Sequence, residues 1–198
     1  MELVRHNDFI YEYQDIVSYE ECDFIVNVIE SHKENILSEF ETIKSDVRHN
    51  TSFNITQLSR EYDKFSSMEV ADIAAFSLVQ KCIKEYIADN ILIQKYSIMC
   101  RSDENFTTEI IYRYYDEKDY YDWHIDSTKF GQFLLSVLIY LNDDFEGGET
   151  LFLTDKVKVS PKKGSILVFP CDFRTIHKST KIRSGTKKIL WTCIQRDL

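Results

Sequence analysis

The chain has 198 residues, 43% hydrophobic and 14% aromatic, enough for one folded domain with a real core and too apolar for a disordered chain. A net charge of −9, from 24 basic and 33 acidic residues, excludes a general binder of nucleic-acid backbones, although Lys178, Lys181, Arg183, Lys187 and Lys188 form one basic cluster. Five cysteines (Cys22, Cys82, Cys100, Cys171, Cys193) without a C-x-x-C pair predict free thiols, no apolar run approaches the roughly 20 residues of a membrane span, and the N-terminus lacks a signal-peptide plan, so a soluble cytoplasmic protein is expected.

In chain order, Phe9 to Val17 predicts a strand. Ser18 and Glu21 have capping-box spacing, and Cys22, Phe24, Ile25, Val28 and Ile29 then supply an apolar helical face. Arg48 to Ile55 predicts another strand. A second helix is expected from Ser67 to Ala88, with Val70, Ile73, Phe76, Leu78, Val79 and Ile83 as its apolar positions. All 5 glycines and both prolines follow residue 130, which marks a shift from a helix-rich part to a turn-punctuated, strand-rich part. There "TTEIIYRYY" (107–115), "YDWHID" (121–126), "FLLSVLIYL" (133–141), "TLFL" (150–153), "SILVFP" (165–170) and "KKILWTCIQ" (187–195) predict strands. "NDDFEGGET" and "SPKKG" predict turns, with Gly147-Gly148 supplying positive φ. Short strands at regular intervals indicate a sandwich or barrel.

Residues two apart on a strand share a face, so His124 and Asp126 project together, and Asp122 stands on the same side. His6, His32 and His49 lie in the helix-rich part, which leaves His177 as the third ligand a barrel could return to the pair. Two imidazoles and one carboxylate on one face keep three octahedral positions open, the arrangement of non-haem Fe(II) oxygenases. A structural zinc site would be closed by a fourth protein ligand. Alone, an H-x-D is more often an ordinary strand with neighbouring polar residues.

Further features fall at consistent offsets. Tyr115 precedes His124 by nine residues, and Tyr140-Leu141 ends a strand. Glu146-Gly-Gly-Glu-Thr150, Gly164-Ser-Ile-Leu-Val-Phe169 and Gly185-Thr-Lys187 follow, with Lys187 ten residues beyond His177. From Tyr112 to the C-terminus the chain resembles the 2-oxoglutarate- and Fe(II)-dependent dioxygenases, in the prolyl 4-hydroxylase-like branch.

The resemblance implies a mainly β fold with flanking helices: a double-stranded β-helix, or jelly-roll barrel, braced by N-terminal helices. It implies one catalytic domain over 1–198, with 1–106 as scaffold and 107–198 as barrel core. His124, Asp126 and His177 would hold Fe(II), while Lys187, with Tyr115 and Thr150, would anchor the far carboxylate of 2-oxoglutarate. Alternation puts Lys187 opposite Lys188, so one of the two lysines can face inward. The expected reaction is hydroxylation by O₂ coupled to conversion of 2-oxoglutarate to succinate and CO₂, with ascorbate as an optional reductant.

The same resemblance leads to a peptidyl proline as substrate, with Tyr121 and Trp191 contacting it. Three positions depart from the branch's pattern. Phe133 stands where it has an arginine, Cys193 where it has a tryptophan, and Lys118-Asp119 where it has Gly-Gln. Another peptide side chain, a free amino acid or another small metabolite therefore stays open as substrate. So do a non-catalytic jelly-roll binding module and a zinc hydrolase with the same ligands. The loop 127–132 is too short for a large lid, so the region 36–66 is expected to cover the mouth.

Overall fold

The computed structural model describes residues 1–39, 44–90, 105–107, 109–126 and 133–196. The first part supplies β1 (Glu2–Arg5), β2 (Tyr11–Gln14), α1 (Tyr19–Glu30), α2 (Lys33–Glu39), β3 (Lys44–Ser45), β4 (Arg48–His49), β5 (Thr51–Asn54), α3 (Ile55–Glu61) and α4 (Glu69–Asp89). The second supplies β6 (Asn105–Thr107), β7 (Ile111–Tyr115), β8 (Tyr120–His124), β9 (Phe133–Tyr140), β10 (Glu146–Gly147), β11 (Thr150–Phe152), β12 (Lys158–Val159), β13 (Ile166–Pro170), β14 (His177–Ser179), β15 (Ile182–Ser184) and β16 (Lys187–Arg196). The larger sheet has the order β1-β2-β13-β9-β16-β7-β5, with β6 also on β16. The smaller runs β12-β11-β14-β8-β4-β3, and β10 pairs with β15. The pairings are antiparallel throughout.

Side-chain alternation decides what each face of the larger sheet touches. On β9, Leu135, Val137 and Ile139 pack in one cluster with Cys22, Ile25 and Ile29 of α1 and Ala75 and Val79 of α4. Leu138 and Tyr140 enter a second cluster with Phe152, Phe169 and Ile189. On β13, Ile166 and Val168 join the first cluster, and Leu167 and Phe169 the second. On β16, Leu190 and Ile194 pack outward, and Ile189 and Trp191 inward. Helices thus cover the outer face, while the inner face closes on the smaller sheet, giving the expected jelly roll. Each fully buried aliphatic side chain contributes about 1.5–3 kcal/mol. The functional side chains described below come from both sheets.

The capping box forms: Ser18 Oγ accepts from Glu21 N–H at 3.1 Å, and Glu21 Oε2 accepts from Ser18 N–H at 2.8 Å. The helical faces need correction. On α1, Cys22, Ile25 and Ile29 are buried, but Phe24 is exposed. It stands two residues from Cys22, about 200° round the helix. On α4, Leu78, Val79 and Ile83 are buried, whereas Val70 and Ile73 are exposed. The true face runs through Ala71, Ala75, Cys82 and Tyr86, where small side chains let the helix approach its neighbours.

The strands are shorter than the apolar runs. The strand of Phe9 to Val17 is Tyr11–Gln14. Before it, Asn7 Oδ1 accepts the amides of Phe9 and Ile10, and after it Asp15 turns the chain at φ 54°. The predicted strand 48–55 is two strands in different sheets: β4 pairs with β8 and β5 with β7. Buried Asn50 lies between them, and Ile55 already starts α3 under the Asn54 cap. Strands β1, β3, β12, β14 and β15 lie outside the predicted strands, and β10 falls within the predicted turn, since two to four residues carry little periodicity. In 107–115, Thr107 belongs to β6 and only Ile111–Tyr115 to β7. None of the described helices is long and apolar enough to cross a membrane. Cys22, Cys82, Cys171 and Cys193 are buried free thiols, while Cys100 and the loop 127–132 lie outside the described residues.

Candidate metal centre and adjoining pockets

Three ligand atoms converge at one mouth of the barrel. His124 closes β8 and His177 opens β14, and the two residues face each other across the antiparallel pair. Asp126 lies two residues beyond His124, past the strand end, yet its carboxylate still points between the imidazoles. Oδ1 is 3.5 Å from His124 Nε2, and Oδ2 is 3.5 Å from His177 Nε2. One ligand atom from each lies within 4.8 Å of the others, a spread that one divalent ion could bridge.

Backbone carbonyls orient both imidazoles. His124 Nδ1 donates to the Asp122 carbonyl at 2.6 Å, and His177 Nδ1 to the Thr175 carbonyl at 2.9 Å. Those bonds turn each Nε2 lone pair toward the centre, as a metal ligand requires. Burial pushes the His177 pKa down to about 4 against the opposing pull of Asp126, so its imidazole is neutral at physiological pH. Burial alone would raise the Asp126 pKa. The charge that His177 carries when protonated, with His124 beside it, outweighs burial and holds the carboxyl well below the usual range. Ser136 Oγ donates to Asp126 Oδ2 at 2.6 Å, and Trp191 Nε1 approaches the same oxygen at 3.2 Å. The donor set thus has the protonation states that Fe(II) needs. Asp122 does not join it: one carboxylate oxygen accepts from the Trp123 amide.

The second group enters the barrel from the larger sheet, opposite the one that carries the histidines. Lys187 opens β16 opposite Tyr115 on β7 and is 1% exposed, while Lys188 turns outward, as alternation requires. Lys187 Nζ donates to the Gly148 carbonyl at 2.7 Å and to Ser179 Oγ at 3.0 Å. It lies 5.4 Å from the Tyr115 ring centroid and 5.5 Å from that of Tyr140. Burial lowers its pKa to about 7, with Glu149 opposing. No carboxylate is bonded to it among the described residues, so a ligand carboxylate would supply the missing countercharge. Thr150 is buried beside it and shares a 2.9 Å hydrogen bond with Tyr140.

The glycines make room for this lysine. Gly147 and Gly148 have φ of 85° and 67°. A Cβ on Gly148 would lie 2.7 Å from Ile182 Cδ1 and 3.0 Å from Lys187 Cδ. One on Gly147 would strike the Lys181 carbonyl at 2.2 Å.

Beside the triad opens a cleft of about 390 Å³, lined among others by Arg48, Arg113, Tyr121, Asp126, Phe133 and Trp191. Tyr121 stacks on His124 with ring centroids 3.5 Å apart. Phe133 and Trp191 line the cleft, whereas Cys193 does not and is buried with its sulfur 3.7 Å from that of Cys171. The region 36–66 contributes Arg48, Ser52 and Asn54 to the wall. Ser136, Ser179, Arg48 and Arg113 were not singled out from the sequence, and Tyr140 only as a strand end. Alternation offered a signal for some: Arg113 stands two before Tyr115, and Ser179 two after His177.

Residues 110–195 match the family model of the 2OG-Fe(II) oxygenase superfamily. Prolyl 4-hydroxylase 1 of Arabidopsis thaliana is 27% identical over 211 residues, covering 94% of this chain and 68% of that protein. The 2-oxoglutarate and iron-dependent oxygenase domain-containing protein 3 of Rattus norvegicus is 30% identical over 83 residues, 38% of this chain and 26% of its own length. A viral collagen prolyl hydroxylase from Paramecium Bursaria Chlorella virus-1, solved as its 2OG complex, superposes with a TM-score of 0.66 at 21% identity, covering 96% of this chain and 97% of that one. A Trichoplax adhaerens prolyl hydroxylase, solved with a hypoxia inducible factor peptide fragment, gives 0.67 at 14% identity, covering 96% and 84%. At these identities the two structures speak for the fold, the double-stranded β-helix expected from the sequence.

Proposed function

We propose that this chain, a prolyl 4-hydroxylase-like 2OG-Fe(II) oxygenase, works over 1–198 as one catalytic unit that hydroxylates a peptidyl proline. His124, Asp126 and His177 hold the Fe(II), and Lys187, with Tyr115 and Thr150, holds the far carboxylate of 2-oxoglutarate. Bound together, Fe(II) and 2-oxoglutarate supply activation of O₂ with release of succinate and CO₂. The chain's residues contribute geometry and charge. The carbonyls of Asp122 and Thr175 fix the imidazoles, and Ser136 and Trp191 fix the carboxylate. Lys187 meets a carboxylate as a buried point charge. Tyr121 and Trp191 line the place for the substrate ring.

The observation that carries this reading is the pairing of two features inside one barrel. One is the triad within 4.8 Å, and the other is the buried Lys187 without a carboxylate partner among the described residues. A binding module would need neither, and a zinc hydrolase would not need the lysine. The four buried free thiols favour a reducing, cytoplasmic setting. The test is aerobic incubation with Fe(II), ascorbate, 2-oxoglutarate and proline-containing peptides. Succinate is expected above the peptide-free background, with one oxygen atom added to proline by mass spectrometry. Stimulated succinate with oxygen on another residue or molecule would keep the reaction class and overturn the proline assignment.

A further inference from the structure

The cleft beside the candidate metal centre holds a buried guanidinium with one unsatisfied donor. Arg113, on the inner face of β7, is 6% exposed, and its Nε has no hydrogen-bond partner among the described residues. It stacks over Trp191 at 4.1 Å from the ring centroid. Trp191 in turn touches Asp126, so Arg113 is one side chain removed from the metal ligands. A buried, unpartnered donor is costly and is retained where a ligand completes it.

A second cation shares this wall. Arg48 on β4 lies over the Tyr121 ring at 5.4 Å. It donates through Nε to Asn50 Oδ1 at 2.7 Å and through Nη2 to Ser52 Oγ, both neutral acceptors. Burial and the neighbouring Arg113 lower its pKa, an unfavourable pairing that an anion would relieve. Among the described residues Asp126 is the only acid lining the cleft; it lies within electrostatic reach of both arginines, but its hydrogen bonds go to Ser136 and Trp191 and it is set between the two histidines. On a chain of net charge −9, this is a local cationic pocket. Lys187 is not among the residues that line the cleft; it bonds to Gly148 and Ser179, and the Tyr115 ring beside it is also within electrostatic reach of both arginines.

Resting on the dioxygenase reading above, we propose that Arg113 and Arg48 form a carboxylate subsite for the substrate. The molecule hydroxylated carries an anionic carboxyl group next to the C–H bond presented to the metal. The planar fork of Arg113, packed over Trp191, can take that carboxylate through two parallel bonds. Arg113 here supplies the cationic donor that Phe133 lacks. Both arginines are positioning residues for specificity.

Three ligand pairs, each differing only in carboxylate against carboxamide, test the subsite and its source. They are L-proline and L-prolinamide, Ala-Pro-Gly and its C-terminal amide, and acetyl-Asp-Pro-Gly-amide and its Asn counterpart. Binding is measured by calorimetry to the full chain loaded with Fe(II) and 2-oxoglutarate under anaerobic conditions. At least one carboxylate is expected to bind about tenfold or more tighter than its amide. That preference is expected to fall toward unity in R113Q, and in R48Q, whose site is less buried and spares the fold if R113Q does not. Whichever pair discriminates identifies a free amino acid, a chain terminus or an acidic side chain as the source. Equal or undetectable binding across all pairs overturns the subsite. So does a preference that survives both substitutions, and so does an R113Q variant that loses 2-oxoglutarate instead. Absence of the Fe(II)–2-oxoglutarate chelate in the wild type would strike the dioxygenase reading itself, which separates the two failures.

Discussion

At the scale of residues, Lys187 carries the most specific chemistry. Its ammonium is buried without a bonded carboxylate among the described residues, and its pKa falls to about 7 because burial opposes the charge. K187A should therefore weaken 2-oxoglutarate binding about a hundredfold and leave Fe(II) affinity unchanged, measured by titrating each in turn. Unchanged 2-oxoglutarate affinity would refute the assignment. The same shift sets a pH dependence. Between about 7 and the ordinary lysine value of 10.5, the folded ligand-free protein holds fewer protons than the unfolded chain. This group's contribution to ligand-free stability thus rises with pH through that window. Binding of a carboxylate needs the ammonium, so 2-oxoglutarate affinity should decline above pH 7, by up to about tenfold per unit. Calorimetry at several pH values in buffers of different ionisation heat would also detect proton uptake on binding. A flat affinity with no uptake would contradict it.

At the scale of elements, the turn between β10 and β11 decides where Lys187 sits. Gly148 leaves the space that Lys187 Cδ and Ile182 occupy, and its positive φ disfavours any side chain. G148A should lower 2-oxoglutarate affinity more than Fe(II) affinity, while G147A, facing the Lys181 carbonyl, should chiefly destabilise the fold. Equal losses of both ligands in G148A would argue against this division. Elements also show what a sequence displays and what it hides. The capping box at Ser18 was legible because its chemistry is local, and β9 and β16 because long apolar runs suit strands covered on both faces. The switch of sheets at Asn50 was not, since one buried amide between β4 and β5 has no periodic signature. The exposure of Phe24, Val70 and Ile73 shows the same limit: an apolar residue near a helical stripe need not be in it.

At the scale of the molecule, one alternation separates stability from chemistry. Outward residues of β9, β13 and β16 bind the helices, and inward residues line the barrel. I139A, on the outer face, should cost about 2–5 kcal/mol in denaturant unfolding yet leave ligand affinities of the folded protein within about twofold. A selective loss of 2-oxoglutarate binding would show the layers to be coupled. The triad was legible as H-x-D plus a distant histidine at a consistent offset, because strand geometry makes that spacing meaningful. Arg113 was not, because a lone arginine in "IIYRYY" gains meaning only once the cleft and the missing partner of its Nε are seen. The central claim is that His124, Asp126 and His177 hold an iron that 2-oxoglutarate chelates beside Lys187. Its most direct test is an anaerobic titration of the metal-free protein with Fe(II) and then 2-oxoglutarate, followed by visible absorption. A charge-transfer band that grows to one equivalent, is abolished in H177A and D126A, and needs far more 2-oxoglutarate in K187A is predicted; a folded, iron-loaded protein that gives no band would contradict the account.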